Sequence, residues 1–65
     1  MRITGRAVTD KERNMLTELA ESKGADEVTI GYMDFYDGYN IRWKMVARFL
    51  KNNKIIDWVS FKEVR

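Results

Sequence analysis

The spacing of apolar residues changes along the chain, from a helical period near the N-terminus to a strand period further on. Near the N-terminus, four apolar side chains recur at three- and four-residue spacing and so share one face of a helix. These are Met15, Leu16, Leu19 and Ala20. Thr9 and Glu12 stand at capping-box spacing, and Gly24 is a typical helix terminator. We therefore predict an amphipathic helix between Thr9 and Gly24 that covers a core.

The rest of the chain is divided by two turn signals. Residues 27–36 alternate β-branched and aromatic side chains with other residues, which indicates a strand. Asp37-Gly38 then marks a two-residue hairpin turn, and Asn52-Asn53 marks a second turn before residues 54–64. If residues 39–51 are also extended, the three strands form an antiparallel meander.

A meander with two-residue turns predicts definite cross-strand pairs. A turn at Asp37-Gly38 places Tyr32 opposite Trp43, Ile30 opposite Met45 and Val28 opposite Ala47. A turn at Asn52-Asn53 places Arg48 opposite Asp57, Arg42 opposite Glu63, Val46 opposite Val59 and Leu50 opposite Ile55. Apolar and opposite-charge pairs both result from this register, and such agreement across levels supports the meander.

Residues 40–52 also fit a second helix, because Trp43, Val46, Ala47 and Leu50 share a helical face. Gly38-Tyr39-Asn40 followed by residues 46–50 resembles the turn and recognition helix of helix-turn-helix families, which implies a small winged helix. We favour an α+β fold in which one N-terminal amphipathic helix packs on a three-stranded antiparallel meander, with a short N-terminal edge strand around Ile3. The winged-helix-like fold is the alternative.

Composition restricts the chemistry. The 65 residues suit a single compact domain, 1–65. Cysteine and histidine are both absent, which removes disulfides, the usual zinc sites and the commonest general base. Asp34 and Asp37 flank a turn, where carboxylates are typically solvated. We therefore expect no enzyme activity, no catalytic or metal-binding residue and no cofactor.

Charge and hydropathy bear on location and partner. The net charge of +2, from 12 basic and 10 acidic residues, is too small to require a nucleic-acid partner. No apolar run is long enough to span a membrane, and the N-terminus lacks an apolar signal segment. We expect a cytoplasmic protein that does not contact membranes.

Two groups of side chains are candidate binding residues. The first group is basic and could contact successive phosphates of a nucleic acid: Arg42, Lys44, Arg48 and Lys51. The second group is apolar and is expected on the sheet face that the helix leaves open, where it could contact a protein partner: Phe35, Val46, Val59 and Phe61. The sequence thus predicts a small binding or regulatory module. Nucleic-acid binding is favoured, and the alternative is a protein-interaction module, either a homodimer or a small inhibitor or adaptor.

Overall fold

The computed structural model describes residues 1–64, which form one helix and a four-stranded sheet. The elements are β1 (Arg2–Gly5), α1 (Asp10–Lys23), β2 (Glu27–Asp37), β3 (Asn40–Lys51) and β4 (Lys54–Val64). The strand order is β1-β2-β3-β4, with β1 parallel to β2 and the other pairs antiparallel. The predicted helix-on-meander fold is confirmed, and the N-terminal edge strand is the fourth strand. The predicted alternative, a helix at 40–52, is wrong because this stretch pairs on both sides as β3.

Helix α1 has the predicted caps. The Thr9 hydroxyl accepts a hydrogen bond from the Glu12 N–H at 3.1 Å, and the Glu12 carboxylate accepts one from the Thr9 N–H at 2.9 Å. At the other end Gly24 adopts a left-handed φ of 73°, a conformation that glycine adopts without steric cost. These local contacts fix both ends of the helix.

The core lies between α1 and one face of the sheet, which we call the helix face; the opposite face is the open face. Alternation along β2 and β3 sends every second side chain toward the helix. The buried cluster consists of Leu16, Ala20, Ala25, Val28, Ile30, Met45, Ala47 and Phe49. Ile3, Val8, Leu19, Val59 and Phe61 pack against it and are partly buried. Most of this apolar area therefore comes from the two central strands and the helix stripe.

The β2–β3 hairpin turns one residue later than predicted. Asp37 pairs with Asn40, so the loop is Gly38-Tyr39, with Gly38 at a φ of 64°. Glycine with positive φ at the first loop position matches a tight hairpin turn of type II′. The predicted pairs are consequently wrong by two residues: Tyr32 faces Met45, Ile30 faces Ala47 and Val28 faces Phe49. Because side chains alternate with a period of two, every residue keeps its predicted face.

The β3–β4 hairpin has the predicted turn but an irregular ladder. Asn52 and Asn53 both have positive φ, 52° and 66°, as a type I′ turn requires, and Leu50 pairs with Ile55 as predicted. Register shifts then occur between Phe49 and Leu50 and between Met45 and Val46. Each shift is a bulge that changes the side of the sheet to which the following residues point.

These bulges overturn the remaining predicted pairs. Arg48 faces Trp58 rather than Asp57, and Val46 faces Ser60 rather than Val59. Glu63 lies opposite Lys44 in the ladder, yet the Arg42 Nη1 atom is 3.6 Å from the Glu63 carboxylate. The ion pair predicted for Arg42 is therefore present despite the changed register.

Two ion pairs connect α1 to β4 across the helix face. Lys23 Nζ lies 2.6 Å from Asp57 Oδ2, and Lys62 Nζ lies 3.7 Å from Glu12 Oε2. The Lys23 hydrogen bond, assisted by the Trp58 N–H, holds the pKa of Asp57 below its ordinary value. The hydrogen bond from the Thr9 N–H likewise lowers the pKa of Glu12. Both carboxylates therefore stabilise the folded state more in their ionised form than in their protonated form.

Gly5 marks the point where the chain leaves the sheet, and we predict that it cannot be replaced. Its φ is 95°, and an added Cβ would lie 2.1 Å from the Ile30 carbonyl oxygen. Gly5→Ala should lower the free energy of unfolding by roughly 2–4 kcal/mol, because strain and a backbone clash add. Gly31→Ala is the control, since its Cβ would meet only Arg48 Nη1 at 3.5 Å. Urea unfolding should separate the two variants; equal midpoints would contradict the geometry at Gly5.

Acid should weaken the fold through Asp57. A carboxylate with a lowered pKa stabilises the folded state above its ordinary pKa and loses that effect as pH falls through the lowered value. The melting temperature of the wild type should therefore fall between about pH 5 and pH 2, and that of Asp57→Asn should fall less. Asp34→Asn is the control, because the Asp34 carboxylate makes no ion pair or side-chain hydrogen bond within residues 1–64. Parallel melting curves for wild type and Asp57→Asn would refute the role of this pair.

Candidate functional site

The β2–β3 hairpin extends well beyond the helix. A helix of 14 residues is about 21 Å long, whereas a strand of 12 residues spans about 40 Å. On the helix face, side chains from Val28 to Ile30 and from Met45 to Phe49 are buried, but those nearer the Gly38-Tyr39 loop are not. The outer half of the hairpin therefore has no covering layer within residues 1–64.

Apolar side chains line this uncovered part of the helix face, and we call them the distal patch. They are Tyr32, Tyr36, Ile41, Trp43 and Val64. Ladder pairs hold them together, since Tyr36 lies opposite Ile41 and Trp43 opposite Val64. Their exposed fractions include 79% for Tyr36, 54% for Ile41 and 52% for Trp43. Large apolar side chains exposed together are typical of contact surfaces.

The distal patch carries little charge. Asp34 lies beside it, opposite Trp43 in the ladder. The Arg6 guanidinium lies over the Tyr32 ring at 5.0 Å from the centroid, a cation–π contact that fixes one end of the patch. At the other end, Ile41, Trp43 and Val64 form a shallow depression bordered by Arg42 and Glu63. Charges of both signs thus surround an aromatic centre.

The predicted basic residues are mostly on the open face, but they are partly neutralised. Arg42, Lys44 and Arg48 alternate along β3 and share that face as predicted, whereas Lys51 alternates to the other face. Arg42 contacts Asp37 at 3.2 Å and Glu63 at 3.6 Å. Lys44 Nζ lies over the Phe35 ring at 4.8 Å. The structure therefore brings three of the four basic residues together on the open face. Of these three, Lys44 and Arg48 make no ion pair within residues 1–64.

The predicted apolar partner residues do not form one surface. Phe35 and Val46 lie on the open face, but Phe35 is half-buried beneath Lys44 and Val46 is 0% exposed. The placement of Val59 and Phe61 on the open face is wrong, because the β4 bulge between Leu50 and Phe49 turns both toward the core. No more than two of the four therefore share the predicted face.

The distal patch was missed by the sequence prediction, although a signal for it was available. The helix pattern ends after about four turns, whereas the two strand patterns on either side of the Gly38-Tyr39 loop each run through about a dozen residues. A comparison of these lengths indicates that the far end of the hairpin has no helix above it. Tyr36, Ile41 and Trp43 stand in that end of the sequence.

Residues 1–64 contain no group of three or more acidic, histidine or cysteine side chains that could hold a metal ion. Within the same range, no helix has the length and apolar character to cross a membrane. Protein-family models, curated proteins and solved structures contain no match to this chain. The distal patch and the open face are thus the two surfaces from which a function can be argued.

Proposed function

We propose that this chain is a protein-binding module and that the distal patch is its contact surface. The observation that carries the proposal is the cluster of exposed aromatic and aliphatic side chains on one face of the hairpin, beyond the end of α1. Tyrosine and tryptophan, which make up most of this cluster, are the residues that most often dominate the energy of protein interfaces. Their rings offer a large contact area with few rotatable bonds to fix.

Magnitudes favour burial of this patch by a partner. Trp43 is 52% exposed, so covering it would remove about 100 Å² from water and contribute about 2.5 kcal/mol. Tyr36 and Ile41 are at least as exposed and would add similar amounts. By contrast, an exposed ion pair such as those of Arg42 contributes less than about 1 kcal/mol. Apolar burial is therefore the stronger source of affinity on this molecule.

The charge distribution favours a protein over a nucleic acid as the partner of the distal patch. Nucleic-acid affinity depends on clustered positive charge that displaces counterions. Around the patch, Arg42 is neutralised by ion pairs with Asp37 and Glu63, while Arg6 lies over the Tyr32 ring and Asp34 adds a negative charge. Such a balanced border matches the mixed polar rim of protein interfaces.

The two tryptophans provide a matched test. Trp43 belongs to the distal patch and Trp58 to the open face, with exposed fractions of 52% and 49%. A photo-crosslinking amino acid in place of Tyr36 should give a discrete protein adduct in cells that express the chain. Trp43→Ala should reduce the adduct about tenfold or more, as expected for an interface anchor, and Trp58→Ala should leave it nearly unchanged.

The opposite result would point elsewhere. If Trp58→Ala removes the adduct and Trp43→Ala does not, the contact surface is the open face rather than the distal patch. An adduct that survives both substitutions, or no protein adduct at all, would contradict the proposal. Circular dichroism of each variant shows whether the fold is retained.

Nucleic-acid binding by the open face is the second candidate function. Lys44 and Arg48 lie on this face, and Trp58 lies directly opposite Arg48, where its half-exposed ring could stack on a base. A single-stranded DNA should then bind with an affinity that falls steeply with salt. Arg48→Gln should weaken binding about tenfold, whereas Lys11→Gln, on the helix, should have little effect. Failure of DNA and RNA oligonucleotides to bind at low salt would eliminate this candidate.

A further inference from the structure

From the geometry of β2 we infer that its outer edge takes up an extended segment of a partner protein as an additional strand, between Tyr32 and Tyr36. The inference rests on the proposed protein-binding function and specifies how the partner of the distal patch is held. The occupant is thereby defined by its backbone conformation as well as by its side chains.

Strand β2 has a neighbour on this side along only part of its length. Strand β1 pairs with residues from Glu27 to Ile30, and the last contact is a 2.9 Å hydrogen bond from the Arg6 N–H to the Ile30 carbonyl. The chain then leaves the sheet toward α1, while β2 continues to Asp37. Within residues 1–64, no strand lies on the β1 side of β2 beyond Ile30.

The backbone groups that face this open side follow from the alternation of the ladder. The Ile30 carbonyl accepts a hydrogen bond from the Arg6 N–H, so the even-numbered residues of β2 point their polar groups toward the β1 side. Asp37 closes the two-residue hairpin with Asn40, so odd-numbered residues bond to β3. By the same alternation, Tyr32, Asp34 and Tyr36 present N–H and C=O groups to the open side.

This arrangement of donors and acceptors matches an extended peptide. Outward-facing groups recur every second residue, about 7 Å apart, which is the repeat of a β-strand. A helix or a compact loop has no such repeat, whereas strand addition to an exposed edge is a common mode of peptide recognition. The backbone pattern therefore specifies the conformation of the occupant.

The other edge of the sheet is less suited to this role. Strand β4 is interrupted by two register shifts and carries Lys54 and Lys62. Bulges and lysines are features by which proteins protect an edge from pairing. The register of β2 with β3 is continuous from Glu27 to Asp37, so the β2 edge is regular where the β4 edge is not.

Side chains along the β2 edge specify the chemistry of the occupant. On the helix face, Tyr32, Asp34 and Tyr36 follow one another, and Asp34 has no charged partner within residues 1–64. A strand laid beside them should present an apolar residue, then a lysine or arginine, then an apolar residue on that face. The occupant is thus an extended segment with a basic residue between two apolar ones at alternate positions.

A second copy of this chain fits the edge poorly. Antiparallel pairing of two β2 edges with the greatest overlap places Asp34 directly opposite Asp34 of the other copy. Like charges at opposed positions destabilise a ladder, and other registers of the same pair shorten the overlap. The charge at Asp34 therefore favours a different chain with a basic residue.

Synthetic peptides test this inference. The probe is the acetylated and amidated peptide Lys-Val-Thr-Arg-Thr-Val-Lys, which carries the expected apolar, basic, apolar pattern. Its addition should protect the amides of Tyr32, Asp34 and Tyr36 from hydrogen exchange and bind with a dissociation constant of about 100 μM or tighter. Glutamate in place of the central arginine should weaken binding about tenfold.

Backbone methylation separates strand addition from side-chain docking alone. One peptide is N-methylated at the arginine and another at the threonine that follows, so that one of them blocks the ladder whichever way the peptide runs. One of the two should bind about tenfold more weakly than the unmethylated probe. The inference is overturned if neither methylated peptide binds more weakly than the probe. It is also overturned if the probe shows no binding at about 1 mM, which is about ten times the expected dissociation constant.

Substitutions at Asp34 give an independent test on the protein. Asp34→Pro removes an N–H that has no acceptor in the ladder, as proline is tolerated on an edge, and Asp34→Ala removes the same carboxylate but keeps the N–H. Strand addition predicts that the probe binds Asp34→Pro about tenfold more weakly than Asp34→Ala, whereas equal affinities would refute it. Should Asp34→Pro lose the fold, the methylated peptides decide the question.

The outcomes distinguish the inference from the proposed function. If the Tyr36 adduct depends on Trp43 but the peptides leave the β2 amides unprotected, the distal patch binds protein by another mode. Loss of the Trp43-dependent adduct removes both proposals. If the same amides become protected without peptide as the protein concentration rises, a second copy of the chain occupies the edge. That result would overturn the inference that a different protein occupies it.

Discussion

The mismatch in length between one short helix and two long strands is the constraint on which the rest of this structure depends. Helix α1 has 14 residues and β3 has 12, but a helix rises less than half as far per residue as a strand. The helix can therefore cover only half of the hairpin, and this is the half that lies away from the Gly38-Tyr39 loop. Burial of Val28, Ala47 and Phe49, and exposure of Tyr36 and Trp43, are two consequences of this one mismatch.

The small core is completed by irregularity rather than by regular alternation. With a perfect ladder, Val59 and Phe61 would face away from α1; the β4 bulge between Leu50 and Phe49 turns both toward the core instead. The same shift places Asp57 within reach of Lys23, so that the third strand of the meander is joined to the helix by an ion pair as well as by apolar contact. The bulges also interrupt the outer edge of β4. One local feature thus serves packing, electrostatics and protection of an edge.

The sequence predicted the elements that depend on local chemistry. The capping box of Thr9 and Glu12, the terminator at Gly24 and the Asn52-Asn53 turn are each specified by a few adjacent residues. The other turn was displaced by one residue because Asp37-Gly38 and Gly38-Tyr39 both satisfy local turn rules. That error left the faces intact, since the resulting register change is an even number of residues.

What the sequence did not predict depends on contacts between distant elements. No local pattern reveals that β4 carries an extra, unpaired residue beside Phe49 and another beside Met45, so Val59 and Phe61 were placed on the wrong face. The distal patch was missed for a related reason, because it arises only when the helix is laid on the sheet and its reach is compared with that of the strands. The basic residues of β3 share a face as expected, but the pairing of Arg42 with Asp37 was not foreseen.

The exposed rings and the unpaired backbone groups of the hairpin belong to the same residues, and this coincidence is the strongest argument for a shared function. Tyr32 and Tyr36 contribute exposed rings to the distal patch, and their backbone groups face the open edge of β2. The chain interrupts the β4 edge with bulges and lysines but leaves the β2 edge regular beside its largest group of exposed aromatics. A single extended segment would satisfy the backbone groups and cover the rings at once. A face-on partner or a nucleic acid would satisfy only one of these requirements.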